Sequence, residues 1–263
     1  MKSKVFILFT LLLMSILPVL AQDTNTRTVT INDYSFIYPD SLAANITITT
    51  YPGDPLDQPP PSELMGWEAR YTQFELSNTD GYRPELILRL AQTADIVGYP
   101  EEQGTLAHLQ QLLTDRPDLK TFEAGVTGGI TNPLPTLPGG GSAQIIIARA
   151  EYVETDTFTG IAYLTVYVQD MFPVNKDSFR YVFIGVSKSQ LTYVWMEVFL
   201  STDLFPDAST ISNSDREQFY LDPAANYVQS IEIVDAAPGS AFTPNLDDID
   251  ALIASIHVNE GGE

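Results

Sequence analysis

The chain is poor in the side chains that most often carry out chemistry. It has two histidines and no cysteine in 263 residues. Thiol chemistry and a metal site built from several histidines are therefore excluded, and a Ser-His-Asp triad would depend on His108 or His257. We interpret both histidines as structural, because His108 lies within a short helical pattern and His257 closes the last one, where a cation suits the helix dipole.

Two further stretches invite a ligand-binding interpretation that their spacing does not support. Gly139 to Ser142 precedes strand-forming residues and lacks the spacing of a phosphate loop or a nucleophile elbow. Asp247, Asp248 and Asp250 lack the alternating ligands of a calcium loop, and the start of a helix already explains them. No cofactor motif is present, so we expect no cofactor and no metal.

Glu197 is the acidic residue of greatest chemical interest. It lies two residues after Trp195 in an apolar run, where loss of hydration would raise its pKa unless it is paired. An ion pair with a strand arginine such as Arg70 or Arg89, or a hydrogen bond to Tyr181, is the structural alternative. A glycosidase would need a second carboxylate at a defined distance, and the sequence distinguishes none.

The stretch from Phe158 to Leu200 must position these residues. It holds three apolar runs, Ile161 to Val168, Phe179 to Ser187 and Leu191 to Leu200. Side chains alternate between the faces of a strand, so odd positions predict an aromatic face and even positions an aliphatic face. The aromatic face supplies the candidate binding residues: Tyr163, Tyr167, Tyr181, Tyr193, Trp195 and Glu197.

The function of this aromatic face depends on whether other parts of the chain cover it. A face covered by a helix at 101–114, by the N-terminal strands or by a proline-rich loop is a second core layer. A face left open is a platform that stacks on sugar rings or on an apolar partner.

Strand register follows from the same two faces. A three-residue loop at 188–190 sets Phe183 opposite Trp195, whereas a two-residue loop would set aromatic against aliphatic side chains. Upstream, Ile147 is expected to face Leu164 in a further hairpin. The prediction is a four-stranded antiparallel meander.

Turn signals place further strands before the meander. A hairpin is expected around Asn32-Asp33, and Asn45 to Thr50 is a third strand. Trp67 to Leu76 and Glu85 to Gln92 flank a turn and are expected to pair. The sheet therefore has about seven to nine strands.

Helical spacing appears after Pro100 and again near the C-terminus. The first helix ends before Pro117, and two shorter helical segments are expected around Pro223. A last helix is expected with Thr243 as its N-cap and Pro244 at its first position. Its apolar stripe should lie on the aliphatic face of the sheet.

Three segments rich in proline and glycine are predicted to be long loops inserted in one domain that spans 22–263. They are residues 51–66, 126–142 and 202–214.

Residues 1–21 have two lysines before a short apolar run and are typical of a signal peptide, with cleavage expected after Ala21. A membrane anchor is the alternative, but polar residues follow too soon for a comfortable span. No cysteine is available to carry a lipid after cleavage, so a lipoprotein is excluded. We therefore expect a secreted or extracytoplasmic protein.

The net charge of the chain limits the classes of molecule that it is expected to bind. The chain carries 34 acidic and 13 basic residues, for a net charge of −21. This acidity disfavours nucleic acid and anionic membranes, so membrane contact is not expected once the signal segment is removed. A protein or a glycan remains as the partner.

The order of elements resembles the PsbP-like group, which includes DcrB-like envelope proteins. The resemblance rests on a hairpin ending in Tyr38-Pro39, a helix near residue 105, the meander and a closing helix ending at Ile256. It implies an α+β fold, an α-β-α sandwich around an antiparallel sheet, and covers Thr28 to Val258 in outline. It assigns no functional residue.

Three functions follow in order of preference. The first is a noncatalytic secreted or envelope-associated accessory or binding domain. The second is a carbohydrate-binding module that uses the aromatic face, and the third is a hydrolase with an unrecognised carboxylate site. The preference for a protein that is not an enzyme rests on the lack of a catalytic constellation.

Overall fold

Alternating apolar residues build two antiparallel sheets in this α+β protein, and helices pack against them. The computed structural model describes residues 25–61, 66–78, 85–122, 133–136 and 142–259. The expected signal segment and most of the predicted loop at 126–142 lie outside these ranges. The strands are β1 Thr26–Ile31, β2 Tyr34–Pro39, β3 Asn45–Tyr51, β4 Tyr71–Ser77, β5 Leu86–Gln92, β6 Ala143–Glu154, β7 Phe158–Val168, β8 Arg180–Ser187, β9 Thr192–Phe199 and β10 His257–Val258.

The helices are α1 Pro100–Asp115, α2 Asn213–Leu221, α3 Pro223–Ala236 and α4 Leu246–Ser255. The expected helix after Pro100 and the pair around Pro223 are thus confirmed. The N-cap of α4 was predicted wrongly, because Asn245 caps it by accepting a hydrogen bond from Asp247 N. Thr243 instead pairs with Ser201 in an isolated bridge.

The N-terminal hairpin belongs to a small sheet ordered β1-β2-β10. Asn32 supplies the left-handed turn residue at φ 49° between β1 and β2. Asparagine tolerates this conformation better than most residues, so the turn forms where the sequence predicts it. The C-terminal strand β10 then pairs with β2, which brings His257 opposite Ser35.

The large sheet has seven strands in the order β3-β4-β5-β9-β8-β7-β6. The predicted pairing of β4 with β5 and the predicted meander from β6 to β9 are both confirmed. Strand β5 joins the two parts by pairing with β9 along its length. Residues 52–61, within the first predicted loop, form neither strand nor helix.

The predicted register between β8 and β9 is wrong by one residue. Four residues, 188–191, connect the two strands, so Phe183 faces Met196 and Ile184 faces Trp195. A shift of one residue inverts a strand with respect to its neighbour. Each face of the meander is consequently a mixture of aromatic and aliphatic side chains.

Two irregularities in β6 overturn the predicted pairing with β7. The register shifts between Gln144 and Ile146 and again between Ala148 and Glu151. Ile147 therefore faces Thr165, and Ala148 faces Leu164. The second shift includes Arg149, which is left-handed at φ 53°.

Two apolar cores lie on opposite faces of the large sheet. The larger core joins Phe183 and Met196 to the small sheet and to α4, so the apolar stripe of the last helix does face the core, but that core contains aromatic as well as aliphatic side chains and α4 lies mainly against β2. The smaller core joins Ile184 and Trp195 to Leu109 of α1. Across the part of the chain described here, no helix has the length and apolar character needed to cross a membrane.

Candidate functional site

The residues predicted for the aromatic platform do not form one open surface. Tyr163, Tyr193 and Trp195 are 0%, 3% and 6% exposed, and they share a face with Tyr167 and Glu197. The inverted register of β8 places Tyr181 on the opposite face. A sugar ring cannot stack on side chains this deeply buried, so the platform interpretation of these residues is corrected.

The cover over Tyr163 is built from two segments. Leu109 and Leu112 of α1 pack on this face together with Leu134 from the proline-rich segment. The Tyr163 hydroxyl donates to the carbonyl of Pro135 over 2.8 Å. The alternative of a second core layer covered by α1 and a proline-rich segment is therefore the one that the structure shows.

Tyr167 contacts the same proline-rich segment through Thr136. Its hydroxyl lies 2.8 Å from Oγ1 of Thr136, and burial raises the pKa of Tyr167 to about 12. The neutral phenol therefore persists across the ordinary pH range. Its role is to hold the segment on the sheet.

Tyr181 has a comparable role on the other face. Its hydroxyl donates to Oδ1 of Asp250 in α4 over 2.6 Å. Burial raises the pKa of Asp250, although this hydrogen bond opposes the effect. The contact ties the meander to the last helix.

Glu197 is engaged by an arginine of the neighbouring strand. Arg180 Nε lies 3.5 Å from Glu197 Oε1, and both side chains are mostly shielded from solvent. The predicted kind of partner is correct, but neither suggested arginine provides this ion pair. The ion pair joins β8 to β9 on this face.

Arg89 organises a second polar network on the same face, which the sequence did not indicate. It donates from Nε to Gln73 over 2.6 Å and from Nη1 to Glu68 over 3.1 Å. Its guanidinium also lies 4.3 Å from the ring centroid of Tyr71. These residues come from β4, β5 and the segment before β4, so only their pairing reveals the network.

Asp54 anchors the proline-rich segment beside this network. Its carboxylate accepts hydrogen bonds from the Tyr51 hydroxyl and from Glu68 N. The ring of Tyr51 stacks on that of Tyr71 with centroids 5.1 Å apart. Nearby Glu102 is buried and accepts from Ala69 N over 2.8 Å, and burial raises its pKa.

A polar groove opens where the small and large sheets meet. Its volume is about 800 Å³, the size of a small-molecule site. The lining residues come from the β1-β2 turn, the start of β4, the end of β5 with the turn after it, the β8-β9 loop, and β10 with the residue after it: Asn32, Asp33, Tyr34, Arg70, Tyr71, Thr72, Leu90, Ala91, Gln92, Asp95, Leu191, Val258 and Asn259.

Arg70 is the cation of this groove. It is exposed, and no ion pair joins it to another residue within the described ranges. Amide side chains of Asn32, Gln92 and Asn259 surround the same space, and Gln92 Nε2 donates to the Tyr34 hydroxyl over 3.0 Å. The groove thus offers fixed donors and acceptors for a hydrophilic ligand.

The sequence did not reveal the groove because five separate segments of the chain contribute to it. Each contributes a few polar residues that look like ordinary turn or surface residues. Only the pairing of β10 with β2 brings Asn259 beside Asn32. Among the described residues, no three histidine, aspartate or glutamate side chains converge to hold a metal ion.

No protein-family model matches this chain, and no curated protein matches it either. The fold and the groove are therefore the basis for a functional proposal.

Proposed function

We propose that this chain is a noncatalytic binding domain of the secreted or envelope compartment, and that the groove at the junction of the two sheets holds its ligand. The observation that supports this most is an open volume of about 800 Å³ lined by amides, carboxylates and Arg70. Such a lining suits a small hydrophilic molecule better than an apolar one, because buried apolar ligands need apolar walls.

A glycan is the ligand class that we propose. Amide and carboxylate side chains can donate to and accept from adjacent sugar hydroxyls, and Arg70 can bind a sugar acid through two parallel hydrogen bonds. Tyr34 and Tyr71 also line the groove, so aromatic residues adjoin its polar groups. Carbohydrate binding is thus retained as a proposal, with its location moved from the aromatic sheet face to the groove.

The test is binding of the purified domain to an array of neutral and acidic glycans. We expect Arg70→Ala to weaken binding at least about tenfold, the loss expected when a charge-assisted hydrogen bond is removed, and Gln92→Ala to weaken it less, because its amide is neutral. Lys120→Ala removes the same charge outside the groove and should bind like the wild type. Absence of binding to any glycan, or full binding by Arg70→Ala, would contradict the proposal.

The cellular location and the wider relationship belong to the same proposal. The charge and apolar pattern of residues 1–21 supports export with cleavage after Ala21, and the mass of the exported protein tests this directly. The order of elements, with helices on both faces of an antiparallel sheet, supports a place beside the PsbP-like group.

A further inference from the structure

Strand β3 forms one edge of the large sheet. All seven of its residues pair with β4 on one side, and no strand pairs with it on the other within the described ranges. Backbone N–H and C=O groups on the free side of such a strand are available for another strand. The side chains are also accessible, since Ile48 is 38% exposed and Thr47, Thr49 and Thr50 are exposed.

This edge lacks the features that normally prevent pairing between molecules. Its sequence, Asn-Ile-Thr-Ile-Thr-Thr-Tyr, contains no charge and no proline, and its pairing with β4 has no bulge. The opposite edge, β6, has two register shifts, and α3 packs against it. In the small sheet, edge strand β1 carries Arg27. Only β3, among these edges, combines regular geometry with an uncharged β-branched sequence.

We propose that β3 pairs with β3 of a second copy of this chain, in an antiparallel arrangement with a two-fold axis at Ile48. This register sets Ile48 opposite itself, Thr47 opposite Thr49 and Ile46 opposite Thr50. Each pair is β-branched, which favours strand pairing, and a two-fold axis makes the contact self-complementary.

The register also keeps the two faces of the extended sheet consistent. Ile48 pairs with Phe74 and Ile46 pairs with Leu76, and both partners lie in the larger core. Thr47 and Thr49 lie on the other face, opposite Glu75 and Gln73. On the core side Ile48 of each copy therefore meets its counterpart and Ile46 meets Thr50, whereas Thr47 and Thr49 meet on the polar side.

Charge favours this edge as the meeting point of two copies. Each chain has a net charge of −21, so most encounters bring acidic surfaces together. The strand itself contributes no charge. Added salt screens the long-range repulsion and leaves the backbone hydrogen bonds in place, so the dimer should strengthen with ionic strength. This inference is independent of the groove, because no residue of β3 lines it.

Cysteine crosslinking provides the direct test, because the chain has no cysteine of its own. Under mild oxidation, Ile48→Cys should form a covalent dimer, since opposite residues on paired strands have Cβ atoms about 5 Å apart. Thr30→Cys places the same thiol on the exposed edge of the small sheet and should stay monomeric.

Sedimentation equilibrium of the full exported protein tests the noncovalent contact. We expect a concentration-dependent dimer that strengthens with NaCl, and Ile48→Lys should weaken it about fivefold or more because like charges then face each other. Thr30→Lys, which adds the same charge elsewhere, should dimerise like the wild type.

Three results would overturn the proposal. The first is a wild-type monomer at all concentrations and salts. The second is an unchanged dimer in Ile48→Lys with no preferential crosslinking of Ile48→Cys. The third is a monomer whose β3 amide resonances shift on addition of a synthetic extended lysine-threonine peptide, since the edge then serves a different chain.

Discussion

At the scale of single residues, burial decides what each polar side chain does. Trp195 sits in an apolar core, and its indole N–H has no hydrogen-bond acceptor among the described residues. Glu197, two residues further along the same face, is held by Arg180. Neighbours on one strand face thus pack within the fold, whereas Arg70 is exposed in an open groove.

Glu102 should make stability depend on pH. Burial raises its pKa above the ordinary value of 4.5, so the folded protein retains this proton to higher pH than the unfolded chain. The stability gained from the neutral form is present below the ordinary pKa and is lost as pH rises through the raised value.

Glu102→Gln keeps an acceptor for Ala69 N and removes the ionisation. We therefore expect the variant to gain stability relative to the wild type over the pH range above about 4.5, as measured by urea unfolding. A constant difference between the two proteins across this range would contradict the assignment. Glu101→Gln, at an exposed position in the same helix turn, is the matched control.

At the scale of elements, the sequence predicts the strands and helices better than it predicts their registers. Turn residues such as Asn32, and helix starts at a proline, act locally and can be read from short windows. The register of β8 depends on whether Leu191 belongs to the loop or to β9, which apolarity alone does not decide. The groove forms only where distant strands pair, so a short stretch of sequence cannot predict it.

The irregularity at Arg149 has a measurable consequence. Its backbone is left-handed, its N–H donates to Asp235 over 2.9 Å, and its guanidinium donates to the carbonyl of Ala237 over 2.7 Å. Both Arg149→Ala and Arg149→Gly lose the side-chain bond. Glycine, however, adopts this conformation without steric cost.

We therefore expect Arg149→Gly to be more stable than Arg149→Ala by about 1 kcal/mol in urea unfolding, the reverse of their usual order in a strand. The same pair of substitutions at Thr159, in a regular part of β7, should show the usual order. An alanine variant as stable as the glycine variant would show that the left-handed residue carries no strain.

At the scale of the whole molecule, repulsion between acidic side chains destabilises the compact folded state. The chain has 34 acidic residues, and five ion pairs join described side chains, most of them partly exposed. Exposed pairs contribute little stability, so they do not offset the mutual repulsion of the acids.

Thermal unfolding should therefore shift upward with salt. We expect the melting temperature to rise by about 3 °C or more between low and moderate NaCl, because screening relieves repulsion in the folded state more than in the expanded unfolded chain. Sucrose at matched osmolality controls for general solute effects. A melting temperature that falls with NaCl would mean that attractive pairs dominate.

The pairing of β10 with β2 bears on when the protein can fold. The hydroxyl of Ser255 bonds to the backbone of Ile37, and His257 lies opposite Ser35, more than two hundred residues earlier in the chain. The N-terminal hairpin is synthesised long before the helix and the strand that pack against it. Contacts of such high sequence separation slow folding. The small sheet therefore lacks its third strand until more than two hundred further residues have been added, so we expect the closure of this sheet by β10 to be a late step in folding.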